Sequence, residues 1–148
     1  MTDGPSGLDA LPYRPCVGLM VLNREGKIFA GQRLDNANDA WQMPQGGIDD
    51  GEEPRNAALR ELREETGIDD PSFDWGDRFM ETGPYSRGKT ARYFIAATAQ
   101  ENVVIGPSPD TGEPEHHEWR WVSFDEAYDL SAPRVREVVQ WGRQVIGA

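Results

Sequence analysis

From Val17 to Leu22 the chain reads VGLMVL, an unbroken apolar run of strand length. It predicts a buried strand. Asn23-Arg24-Glu25-Gly26 carries turn chemistry, so Ile28 to Gly31 is expected to return as the hairpin partner. Beyond Arg33, residues 35–39 read as a polar loop. Trp41-Gln42-Met43-Pro44 then enters a loop containing Gly46, Gly47 and Gly51, where backbone can come close to a ligand. From Pro54 to Thr66 the period becomes helical. Ala58, Leu59 and Leu62 fall on one arc at about 100° per residue, the face a sheet would cover. Pro54 suits the first helical position, and Gly67 the left-handed residue after the last turn.

Asp69-Asp70-Pro71 breaks the chain. Phe73 to Glu81 is expected to contain a strand, and Thr90 to Ala99 is a clearer one. Gly106 to Pro114 reads as a loop, and Trp119 to Val122 alternates as a short strand. Ser123 and Glu126 have capping-box spacing, which predicts a helix from Phe124. Val135, Val138, Val139 and Ile146 give the closing segment from Pro133 an apolar helical stripe. Residues 1–12 show no periodicity and are expected to be a tail, with one domain over 13–148. Strands on either side of a long helix, with a closing helix, describe an α/β layered domain.

The 148 residues suit a single domain, and 37% hydrophobic with 28% charged residues is ordinary globular composition. Cys16 is the only cysteine, so no internal disulfide is possible and a reducing cytoplasm is the expected location. Its apolar surroundings mark it as a strand residue. No secretory signal or membrane span is legible, so no membrane partner is expected. The net charge of −11 argues against gripping a long nucleic-acid backbone, and no DNA partner is expected. A substrate held only at its phosphates stays open, because a bound cation inverts the local field.

The chemistry lies on the central helix. Glu61, Glu64 and Glu65 share an arc roughly 100° wide, with Ala57 on the same stripe. Like charges at this spacing repel by roughly 0.2–0.5 kcal/mol per pair. A hard divalent cation reverses that sign, and Mg²⁺ takes such oxygen ligands while leaving positions for water and phosphate.

In order, the run has Gly46, Glu52, Arg60-Glu61-Leu62, Glu64-Glu65 and Gly67-Ile68. It resembles the Nudix box, the signature of Nudix hydrolases, at every fixed position. The resemblance implies a Nudix fold, a mixed β-sheet sandwiched between α-helices. It further implies that Glu61, Glu64 and Glu65 ligate metal, with the carbonyl of Gly46, while Glu52 and Arg60 form a supporting pair. Tyr13 to Gly18 and Trp41 to Gly47 are similar to bacterial RNA pyrophosphohydrolases and related dinucleoside polyphosphate hydrolases. That similarity runs from about Tyr13 to Val122. It implies that Glu115, after Pro114, is a further ligand or the general base, and that Arg14 and Arg33 lie near the phosphate chain.

Two stretches depart from that pattern. Gly88 to Phe94 reads GKTARYF where these relatives carry Gly-Gln-x-Gln-Lys-Trp-Phe, so Arg92 stands in place of their lysine as a substrate-binding residue. Ser131-Ala132-Pro133-Arg134 stands where they have a Phe-Lys pair. Trp41 is expected in the core. His116 and His117, adjacent in a strand-like loop, point to opposite sides and are expected in solvent.

The resulting expectation is an enzyme, a Mg²⁺-dependent pyrophosphohydrolase with Mn²⁺ as substitute. It would cleave a phosphoanhydride in a 5′-triphosphate RNA end or a dinucleoside polyphosphate. Glu64, Glu65 and Glu115 carry the catalytic roles, and either Glu65 or Glu115 takes the proton from water. A general nucleoside di- or triphosphate, or nucleotide-sugar, hydrolase is the alternative with the same machinery. A non-catalytic nucleotide-binding Nudix regulator is the rival of another class, and the intact box glutamates count against it. Nothing in the sequence locates an oligomer interface.

Overall fold

The structure, a computed structural model, describes residues 14–33, 41–85, 89–100 and 116–147. The expected tail at 1–12, the loops at 35–39 and 106–114, and Glu115 lie outside them. Strand β1 (Arg14–Leu22) turns at Asn23 into β2 (Ile28–Arg33). The Asn23 carboxamide oxygen accepts from the backbone N–H groups of Glu25 and Lys27, both at 2.9 Å. Gly26 supplies the positive φ of 77° that an ordinary residue avoids. The hairpin is therefore built as its sequence predicts.

Two short strands follow, β3 (Trp41–Gln42) and β4 (Gln45–Gly47), then helix α1 (Pro54–Thr66). Strands β5 (Phe79–Tyr85), β6 (Lys89–Ala97) and β7 (His116–Val122) precede helices α2 (Phe124–Leu130) and α3 (Pro133–Ile146). The first of these strands begins at Phe79, inside the expected stretch from Phe73 to Glu81, and runs on to Tyr85. Residues 74–77 form a turn, and Ser72 makes only an isolated bridge to Ala97.

The sheet is mixed. β1 runs parallel to β6 and antiparallel to β2 and β4, and β5 pairs antiparallel with β6. On its other half, β2 carries both β3 and β7. The segment 41–47 thus crosses from the edge of β2 to the edge of β1, where the sheet forks. Alternation along β1 sends Val17, Leu19 and Val21 to the α1 side, and Met20 and Leu22 to the side covered by α2 and α3. Each side carries its own core. Val135, Val138 and Val139 of α3 are buried on the second side, as their spacing predicts. Trp41 is buried there too.

Ser123 and Glu126 form the predicted capping box, at 3.1 and 3.2 Å. Among the described residues, no helix is long and apolar enough to cross a membrane.

The face that α1 buries differs from the expected one. Ala57, Ala58, Leu62 and Thr66 are buried, whereas Leu59 is only half-buried. By about 100° steps, Glu65 falls within about 20° of Ala58, inside the buried arc. Its two carboxylate oxygens are indeed hidden from solvent. The apolar stripe of α1 is therefore interrupted by an acid.

Candidate active site

Helix α1 starts and stops where its sequence dictates. Pro54 occupies the first turn, and Gly67 takes φ 75° with its N–H on the Arg63 carbonyl at 2.9 Å. Glu53 stands at the cap position but makes no side-chain cap bond. Glu52 turns instead to Arg60, with Oε2 2.9 Å from Nε and Oε1 3.0 Å from Nη2. Glu52 Oε1 also accepts from the Asp49 N–H at 3.0 Å. The pair clamps the glycine loop to the helix.

Arg60 does more than pair once. Its Nη2 donates to the Gly47 carbonyl at 2.9 Å, and its Nη1 donates to Glu64 Oε1 at 3.2 Å. Asp49 and Glu61 lie 3.5 and 3.8 Å away. One guanidinium therefore offsets the repulsion among several carboxylates. The Glu52 carboxyl is held below its ordinary value, first by its hydrogen bonds from Arg60 and then by the Asp49 N–H. The same pairing raises Arg60 further above an already high value.

Gly46 meets the helix directly. A Cβ built on it would fall on the Glu61 carboxylate, so a larger residue there would require that side chain to move. Glu61 is mostly shielded and Glu64 less so, at 16% and 33% side-chain exposure. Among the described residues, no three His, Cys, Asp or Glu side chains converge closely enough to hold an ion. The cationic partner that Glu64 has here is Arg60. The donors still fit a hard divalent ion in kind. Glu61, Glu64 and Glu65 offer oxygen on neighbouring positions of one helix, and Glu61 lies against the Gly46 backbone.

The remaining expected residues are spread over the sheet. Arg14 opens β1 and pairs in register with Lys89, and Arg33 closes β2 opposite His116. His116 and His117 begin strand β7 rather than lying in a loop. Arg92 is engaged locally. It lies 3.3 Å from Glu81 Oε2 and stacks over the Phe79 ring at 4.1 Å.

Residues 12–142 match the NUDIX domain family. The chain belongs to the Nudix family. RNA pyrophosphohydrolases give the sequence likeness. That of Cereibacter sphaeroides strain KD131 is 42% identical, covering 88% of each chain, and that of Novosphingobium aromaticivorans is 41% identical, covering 99% of this chain and 96% of the other.

Among solved structures, a Caenorhabditis elegans Ap4A hydrolase binary complex superposes with a TM-score of 0.75. It is 19% identical and covers 89% of this chain and 98% of its own. The Nudix domain of Shewanella oneidensis NrtR, complexed with ADP ribose, reaches 0.70 at 16% identity, covering 99% of both chains. These two likenesses establish the Nudix fold, with its mixed sheet between helices. The Nudix box is legible in the sequence. The contacts of Arg60 with Gly47 and Glu64 are not, although the i,i+4 spacing of Arg60 and Glu64 signals the second.

Proposed function

We propose that this Nudix hydrolase is a pyrophosphohydrolase that cleaves a phosphoanhydride bond in a nucleotide-linked polyphosphate. The RNA 5′-triphosphate end is the first substrate, and the dinucleoside polyphosphate the second. The observation that carries the reading is the complete Nudix box, folded so that Glu61 packs onto Gly46 while Arg60 ties Glu52, Gly47 and Glu64 together. RNA pyrophosphohydrolase relatives at about 40% identity over most of the chain support the RNA end. The net charge of −11, together with the engagement of Arg92 by Glu81 and Phe79, favours the smaller substrate.

The residues divide the work. Glu61, Glu64 and Glu65, with the Gly46 carbonyl and Glu115, would hold Mg²⁺, for which Mn²⁺ substitutes. Bound there, the ion would supply Lewis acidity at the phosphoryl oxygens and lower the pKa of water. Glu65 or Glu115 accepts the proton of the attacking water. The two carboxylate oxygens of Glu65 are hidden from solvent, which suits that role. Arg14 and Arg33 neutralise and orient the polyphosphate. Arg92 would have to leave Glu81 to join them. Glu52 and Arg60 act through the glutamates they hold. The lone cysteine and the nucleotide substrates agree with a cytoplasmic location.

A short 5′-triphosphorylated RNA and diadenosine tetraphosphate, compared under identical Mg²⁺ and salt, test this. Faster phosphate release from the RNA supports the first substrate, and the reverse order supports the second. No release from either would favour a nucleotide-binding module and contradict the proposal.

A further inference from the structure

Three strands meet in one row beneath the glycine loop. Gly18 of β1 lies opposite Tyr93 of β6 on one side and Gln45 of β4 on the other. Two strand spacings separate Tyr93 from Gln45, about 10 Å of backbone. The Tyr93 ring spans that gap because Gly18 has no side chain. A Cβ there would come within 2.8 Å of Tyr93 Cζ, and nearer still to two other ring carbons. The Tyr93 hydroxyl then donates to Gln45 Oε1 at 3.0 Å. Gln45 Nε2 in turn donates to Gln42 Oε1 of β3, also at 3.0 Å.

The next residue after Gln45 is Gly46, whose Cα supports Glu61 on the opposite face. Successive residues of a strand face opposite ways, so the relay pulls on β4 from one side while the glutamate helix rests on the other. β4 has only three residues and, among the described residues, pairs with β1. On the α1 side β4 is tied by Arg60 Nη2, which donates to the Gly47 carbonyl at 2.9 Å, and the relay holds its other side.

We propose that Tyr93, Gln45 and Gln42 form a brace that positions the Gly46 backbone under Glu61, and so sets the geometry in which the box glutamates receive a divalent ion. These are positioning residues, acting through the Gly46 backbone. The proposal rests on the metal-dependent reading above. Its particular claim is that one hydroxyl on β6 tunes that site.

The test uses Tyr93→Phe, Gln42→Ala and the double variant. Mn²⁺ affinity is measured by electron paramagnetic resonance without substrate, and kcat and KM on diadenosine tetraphosphate with Mg²⁺. Each single variant is expected to weaken Mn²⁺ binding and lower kcat by about tenfold, the scale on which outer partners act on metal sites, with KM within about threefold. The double variant should fall no further than the more severe single one, because one relay is broken either way. Mn²⁺ affinity and kcat both within about twofold of wild type would overturn the brace. So would an additive double variant, or a Tyr93→Phe chain that does not fold, since the hydroxyl would then be holding the fold rather than the site. If wild type turned over no nucleotide, the functional reading would fail, while the Mn²⁺ comparison would still decide the brace.

Discussion

The Glu61 carboxylate occupies the space that a Cβ on Gly46 would need. The contact joins the glycine loop to the acidic helix with nothing between them. Gly46→Ala must therefore push Glu61 aside or lift β4. Displacement of about 1 Å at such a site costs on the order of 100-fold in rate. The expected outcome is a kcat loss of that order with a far-ultraviolet spectrum like wild type. Full activity in Gly46→Ala would show that the contact is dispensable.

Arg60 is a hub, and lysine cannot replace it. A lysine ammonium lacks the planar fork that meets Glu52 at two points while also reaching Gly47. Arg60→Lys is expected to lose activity by about 10–100-fold, the range for partners that orient metal ligands. Steady-state turnover at saturating Mg²⁺ reads it.

The same pair makes a pH prediction. Pairing holds the folded-state pKa of Glu52 below its ordinary 4.5. A depressed carboxyl contributes stability that is present above the unfolded value and is lost as pH falls through the folded one. The Tm difference between wild type and Glu52→Gln should therefore be constant near neutrality and shrink below pH 4.5. A difference that stays constant at acid pH would contradict the pairing.

The buried face of α1 can be checked by truncation. Leu62 is fully buried, whereas Leu59 is half-buried. Leu62→Ala should cost about 2–5 kcal/mol in denaturant unfolding, and Leu59→Ala distinctly less. Equal costs would restore the stripe that periodicity alone suggests.

The elements legible in the sequence are those whose signals are local. The apolar run of β1, the Asn23 to Gly26 turn, the Ser123–Glu126 box and the valine stripe of α3 each carry their own chemistry. Strands β3 and β4 were not legible, because Trp41-Gln42 and Gln45-Gly46-Gly47 are too short to show alternation. The stretch from Phe73 to Glu81 holds the start of β5, but no local signal marks where the turn at 74–77 gives way to it. The spacing of α1 does place Glu65 beside Ala58, yet a carboxylate inside a buried arc runs against ordinary partition. The Nudix box was legible because its residues are close in sequence. The path from Tyr93 over Gly18 to Gln45 depends on inter-strand register and has no local trace.

In the proposed function, the acids on α1 carry the hydrolysis. The most direct measurement is turnover of 5′-triphosphorylated RNA and diadenosine tetraphosphate by wild type, Glu64→Gln and Glu65→Gln, at equal folded concentration over a Mg²⁺ titration. Mg²⁺-dependent release by wild type is expected, with a loss in each variant beyond the about 10–100-fold that outer partners cost. Either variant retaining activity within about tenfold of wild type at any Mg²⁺ concentration would contradict it.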